Sequence, residues 1–138
     1  MVNLYFDANV YLDYWEDRKD NLRPIGEFAY SLMRRAINCE FVVYYSDLVF
    51  FEVSKSCSIP KEEVFEQMFR PLERMGKLRM ITYNYEPEAT LLAREKKIPK
   101  NDAIHLVLAE KCNAILVSRD NHHLDLKDQF RVMKPEEL

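Results

Sequence analysis

Short runs of strand character alternate with longer runs of helical character along the whole chain, and this alternation limits the fold more than any other feature. Val2–Phe6 is apolar and rich in residues that suit an extended backbone, so it reads as a buried strand. Residues 41–45, 78–82, 114–117 and 130–133 read the same way. A helix is expected within residues 8–15, then a polar turn over 17–24. The next helix spans 25–38, where Phe28, Ala29, Leu32, Ala36 and Ile37 recur at helical spacing. Ser46 sits where a helix N-cap belongs, with Asp47 in the first turn, and opens a helix to about residue 55. Pro60 opens another, to about residue 75, which Gly76 ends. Residues 86–97 are helical, Pro99 breaks the chain, and Asn101 caps a helix to about residue 111. Residues 121–125 read as a short turn or helix. Strands joined through helices give a parallel sheet covered on both faces. The expected fold is therefore α/β: a three-layer α/β/α sandwich around a central, mostly parallel sheet of four or five strands. At 138 residues, a single domain over 1–138 is expected.

Several classes are excluded by what the chain lacks. It has two glycines, so no glycine-rich phosphate loop is available. No apolar run approaches the ~20 residues that span a bilayer, so no membrane association is expected. The N-terminus leads directly into the first strand, without a basic segment or a small-residue cleavage site, and a cytoplasmic location is expected. Cys39, Cys57 and Cys112 are far apart and odd in number, which suits buried small hydrophobes better than disulfides or a zinc knuckle. The net charge is −3. A nucleic acid would thus be held locally, or through a bound cation, and not by a broad basic face.

In open α/β sheets the ligand site lies outside the carboxyl ends of the strands. Asp7 follows the first strand and Asp120 lies three residues past Val117. Asp102 starts the helix after Pro99, and Glu52 lies about a turn and a half into the helix after the second strand. Each has an ordinary role open to it. Asp7 suits a helix cap, Asp102 a helix dipole, Asp120 a turn, and Glu52 a narrow solvent face. Together they are harder to explain, because carboxylates gathered at one sheet end repel one another and raise their own pKa values. A divalent cation offsets that repulsion, and oxygen ligands suit Mg²⁺ or Mn²⁺. Such an ion lowers the pKa of a bound water and steadies charge on a phosphate, so phosphodiester hydrolysis needs no side-chain nucleophile.

Four stretches carry a resemblance: Leu4-Tyr5-Phe6-Asp7-Ala8-Asn9-Val10, Ser46-Asp47-Leu48-Val49-Phe50-Phe51-Glu52-Val53, Asn101-Asp102-Ala103-Ile104-His105-Leu106 and Ile115-Leu116-Val117-Ser118-Arg119-Asp120. In this order, with these gaps and the tail from Val132 to Leu138, the chain resembles PIN-domain ribonucleases, especially VapC-type toxins. The resemblance implies an endoribonuclease that uses Mg²⁺ or Mn²⁺ on single-stranded RNA. It further implies a toxin of a toxin-antitoxin pair, with a small antitoxin as partner and a homodimer as assembly. Asp7, Glu52, Asp102 and Asp120 would be the catalytic, metal-binding tetrad. Ser118 would support the site and Asn9 would order the first loop. Many relatives carry a further acid soon after the last Asp, where this chain has Asn121-His122-His123.

Other residues are less constrained. His105 shares a helix face with Asp102 and reads as a packed or hydrogen-bonded histidine, since no further ligands are spaced to complete a zinc site. His122 and His123 read as loop surface, with His122 a possible RNA contact. Arg119 borders the site, as an RNA contact or a solvated side chain. Tyr11, Tyr14 and Trp15 are either core or a dimer or partner surface. Two rival readings stand beside the nuclease. A phosphatase of the haloacid-dehalogenase type needs an acid two residues after the first Asp, where this chain has Asn9. A non-catalytic PIN-like module that binds RNA or protein has no need of four repelling carboxylates.

Overall fold

The computed structural model describes residues 1–16, 24–38, 40–84 and 87–138. The turn expected over 17–24 thus lies largely outside the described residues, as do Cys39 and Glu86. Five strands, β1 (Val2–Phe6), β2 (Phe41–Ser46), β3 (Leu78–Ile81), β4 (Ile115–Val117) and β5 (Val132–Met133), form one sheet in the order β3-β2-β1-β4-β5. Every neighbouring pair is parallel, with Leu4 opposite both Val43 and Ile115. The inner strands carry few polar side chains because parallel sheets are covered on both faces. Leu4, Phe6, Val43, Leu116 and Val117 are accordingly buried.

Strand order reverses around β1. From β1 the chain moves outward to β2 and β3, then returns to the other side of β1 for β4 and β5. Right-handed crossovers require the intervening helices to fall on opposite faces for the two halves. The first set is α1 (Ala8–Glu16), α2 (Ile25–Ile37), α3 (Asp47–Ser56), α4 (Lys61–Val64) and α5 (Arg70–Arg74). The second is α6 (Pro87–Lys96) and α7 (Lys100–Lys111), and α8 (Asn121–Leu124) joins β4 to β5. The reversal opens a crevice at the carboxyl ends of β1 and β4, where Asp7 and Ser118 begin the connections. Among the described residues no helix is long and apolar enough to cross a membrane.

Two local expectations need correction. The helix expected from Pro60 to about residue 75 is not continuous, because a π turn, Phe65–Phe69, separates α4 from α5. Pro71 explains it: its ring would clash with the carbonyl four residues back and it offers no N–H, and a π turn ahead of it relieves both. The turn also carries Phe69 into the core, with its ring 4.6 Å from Tyr11, 5.1 Å from Tyr45 and 5.7 Å from Phe50. Secondly, Asn101 does not cap α7. The N-cap residue is Pro99, without a side-chain cap, and Asn101 lies inside the first turn. A proline preset near φ −57° leads straight into the helix at Lys100, two residues earlier than a cap at Asn101 would allow. Ser46 does cap α3, accepting the Val49 N–H at 3.0 Å, and Gly76 ends α5 with φ 69°. Cys57 and Cys112 are half-buried and not core residues.

Candidate active site

Asp7 is placed by the sheet itself. Its backbone N–H continues the β1–β4 ladder by donating to the Val117 carbonyl at 3.0 Å. Its side chain, only 6% exposed, accepts the Ala8 N–H at 2.8 Å and lies 3.4 Å from the Ser118 hydroxyl. Burial lifts the Asp7 carboxyl above its ordinary range. His105 and His123 oppose this, and the charge of Glu52 adds to it.

Glu52 points toward Asp7 and not away from it. One ligand atom from each of Asp7, Glu52 and His105 lies within 4.8 Å of the others. Glu52 is held by a buried chain of hydrogen bonds. Its Oε1 is 2.6 Å from His105 Nε2, His105 Nδ1 is 2.8 Å from the Tyr5 hydroxyl, and that hydroxyl is 2.7 Å from Ser46 Oγ. With a neutral imidazole, a single polarity serves every group. Ser46 donates to Tyr5, Tyr5 donates to Nδ1, and Nε2–H donates to Glu52, while Ser46 Oγ accepts the Val49 N–H. Burial pushes the His105 pKa down, but the hydrogen bond to Glu52 and the charges of Asp7, Glu52 and Asp102 raise it above the ordinary value.

The other two acids form a second group. One ligand atom from each of Asp102, Asp120 and His122 also lies within 4.8 Å of the others. Asp102 sits in the first turn of α7, where its charge complements the helix dipole. Asp120 caps α8 by accepting the His122 N–H at 2.8 Å, so its ordinary role as a turn residue is also filled. His122 Nδ1 lies 2.8 Å from Asp102 Oδ2 and 3.3 Å from Asp120 Oδ1. Among the described residues, then, the four acids gather as two pairs, each with one histidine, and not as one undivided cluster.

Ser118 and His123 join the pairs. His123 is fully buried, contrary to its reading as loop surface, because α8 turns it inward against α7. Its Nε2 is 3.1 Å from the Asp102 carbonyl oxygen, which only accepts, so Nε2 carries a proton. Its Nδ1 is 2.8 Å from Ser118 Oγ, and that oxygen also accepts the Asp120 N–H at 3.0 Å. Ser118 therefore touches Asp7, Asp120 and His123 at once.

Asn9 is exposed on the first turn of α1. Arg119 is not a solvated side chain. It donates to Glu136 at 2.9 Å, lies 3.7 Å from Asp13, and covers the Phe28 ring at 5.7 Å. Tyr11 is core, whereas Trp15 is 40% exposed. Tyr5, Ser46 and His123 are site residues that the sequence reading left out. A tyrosine in an apolar, buried strand needs a partner for its hydroxyl, and a histidine in the apolar middle of α7 needs the same, so each pointed to the other.

The donor chemistry of both groups fits a divalent cation. Each offers two carboxylates, the second adds the His122 imidazole, and Asp7 is buried in a place where an opposing positive charge would relieve it.

The fold has solved counterparts. A toxin-antitoxin complex from Klebsiella pneumoniae contains a chain with a TM-score of 0.59 at 19% identity, over 96% of this chain and 97% of that one. A protein from Pyrobaculum aerophilum gives a TM-score of 0.59 at 15% identity, over 99% of this chain and 91% of that one. No curated protein matches the sequence. At such identities the structures speak to fold alone. The sequence itself goes further, since the model of the PIN domain, a family made up generally of nucleases, matches residues 4–129. That is most of the chain, and the chain belongs to the PIN domain family.

Proposed function

We propose that this chain is a divalent-metal-dependent endoribonuclease that hydrolyses phosphodiester bonds of single-stranded RNA, with Asp7, Glu52, Asp102 and Asp120 as its catalytic and metal-holding residues. The observation that carries the reading is the buried placement of Asp7 beside Glu52 at the strand reversal, with the Asp102 and Asp120 pair joined to it through Ser118 and His123. A bound Mg²⁺ or Mn²⁺ would supply a water of lowered pKa and offset charge on the scissile phosphate. The chain's own residues do the positioning. His105 fixes the Glu52 carboxylate, with its ring set by Tyr5 and Ser46. Ser118 orients Asp7, and the first turn of α7 presents Asp102. His122 is about half exposed beside Asp102, and RNA contact by it is part of this reading. Arg119 is committed to Glu136, and RNA contact by it would need that pair to open.

The setting we propose is the toxin of a toxin-antitoxin pair, in the cytoplasm, with a small antitoxin as partner and a homodimer as assembly. Its support is the fold likeness to the chain from the Klebsiella pneumoniae complex, together with Trp15 and Tyr30, which are exposed on α1 and α2. A labelled single-stranded RNA incubated with the protein, with Mn²⁺ or with EDTA, tests the activity. Cleavage with Mn²⁺ that stops in EDTA supports the reading. RNA binding without cleavage by the folded, metal-loaded protein would replace it with a non-catalytic binding module.

A further inference from the structure

Two residues after Asp120 the chain places His122 against the acids. Its imidazole is neither buried in the core nor turned away to solvent. Nδ1 sits between two carboxylates, 2.8 Å from Asp102 and 3.3 Å from Asp120. An octahedral ion with bonds of about 2.1 Å keeps adjacent ligand atoms about 3.0 Å apart. The two distances from Nδ1 are therefore those of neighbouring ligands, and the two acids offer oxygens within 4.8 Å of each other. Asp120 fixes this arrangement locally, since its Oδ1 accepts the backbone N–H of His122 and so sets the turn that returns the ring toward it.

His105 shows what a histidine devoted to orienting an acid looks like here. Both of its nitrogens are used in a buried hydrogen-bond chain, and the ring is 1% exposed. The His122 side chain is 48% exposed, and its ring nitrogen meets the carboxylates of Asp102 and Asp120. A divalent cation can replace the proton that the ring nitrogen shares with those oxygens.

We propose that His122 is a nitrogen ligand to the cation held by Asp102 and Asp120, and that it makes this site favour first-row transition ions over Mg²⁺. This rests on the metal-dependent reading of the site above. Imidazole suits the later first-row ions, whereas Mg²⁺ prefers oxygen donors and keeps its waters. Replacing a carboxylate by an imidazole also removes one negative charge from the site, which lowers its attraction for a hard cation most.

The test measures binding and not only cleavage. Calorimetric titration with Co²⁺ and with Mg²⁺ is run on the wild type, His122→Ala, His122→Asn and His122→Asp, each checked for folding by circular dichroism. Expected is a loss of about tenfold or more in Co²⁺ affinity for His122→Ala and His122→Asn, with Mg²⁺ affinity changed by less than about twofold. His122→Asp is expected to tighten Mg²⁺ and narrow the difference between the ions. Pulsed electron paramagnetic resonance of the Mn²⁺-loaded protein should show nitrogen modulation that both His122→Ala and His122→Asn remove. Unchanged Co²⁺ affinity in those two variants, or modulation that survives in them, overturns the assignment. If ion binding is then still lost in Asp102→Asn, only the role of His122 has failed. If the wild type binds no divalent ion, the metal-dependent reading has failed with it.

Discussion

Replacing Tyr5 by phenylalanine removes one oxygen from the centre of the molecule and nothing else. That oxygen is the joint between Ser46 at 2.7 Å and His105 at 2.8 Å, and all three residues are buried to within 1% of completely. Phenylalanine fills the same space, so no cavity opens. Two groups lose their partner: the Ser46 hydroxyl proton and His105 Nδ1. Each buried polar group left unsatisfied costs about 1–3 kcal/mol, and about 1 kcal/mol returns because the phenol no longer has to be desolvated. The net loss is about 1–5 kcal/mol, a large part of the ~5–15 kcal/mol that holds a domain folded. With a urea slope of about 2 kcal/mol/M, the unfolding midpoint falls by about 0.5–2.5 M. Urea titration followed by far-ultraviolet circular dichroism measures this directly. The companion variant Ser46→Ala removes one of the two orphaned groups, so the double variant should lose less than the sum of the singles, by at least ~0.5 kcal/mol. A Tyr5→Phe loss below ~0.5 kcal/mol, or strict additivity with Ser46→Ala, would refute the idea that these four side chains act as one chain.

Three further outcomes follow from the same structure. Burial raises the Asp7 pKa above 3.8, so the folded state holds that proton more tightly than the unfolded chain. The stability this gives is complete below 3.8 and is lost as pH rises through the folded value, so Asp7→Asn in EDTA should be more stable than wild type at pH 7, with the gap closing in acid. Urea titrations of both proteins across pH show it. The Tyr11 hydroxyl is fully buried and has no hydrogen-bond partner among the described residues. Tyr11→Phe should therefore stabilise the protein by about 1 kcal/mol, seen as a rise of a few degrees in the thermal midpoint. Arg119 ties the C-terminal turn to α1 and α2, so Arg119→Ala should cost about 2 kcal/mol in urea titration while leaving RNA affinity unchanged in a filter-binding assay.

What was legible in the sequence was the part that local chemistry decides. Val2–Phe6 has one role open to it, Ser46 caps because a hydroxyl there meets a free N–H, and Asp7 follows its strand as the sheet requires. The π turn was hidden because one extra residue per turn barely alters the apolar spacing, and Pro71 only makes sense of it afterwards. The burial of His123 was hidden for a similar reason, since a four-residue helix has no periodicity to show which side faces in. The division of the acids into two pairs depends on Glu52 meeting His105, a contact across 53 residues that no local pattern encodes. The sequence did contain one pointer to it, in polar groups set among apolar neighbours: Tyr5 between Leu4 and Phe6, and His105 between Ile104 and Leu106.

The central claim is that these two pairs work as one catalytic centre, and the cleavage rate of the double variant Asp7→Asn/Asp102→Asn tests it most directly. Groups that act as a unit are non-additive, so each single variant should already lose about 100-fold or more in single-turnover cleavage of single-stranded RNA, and the double variant should be little worse. Losses that multiply in the double variant, or a single variant that cleaves at the wild-type rate, would contradict the account.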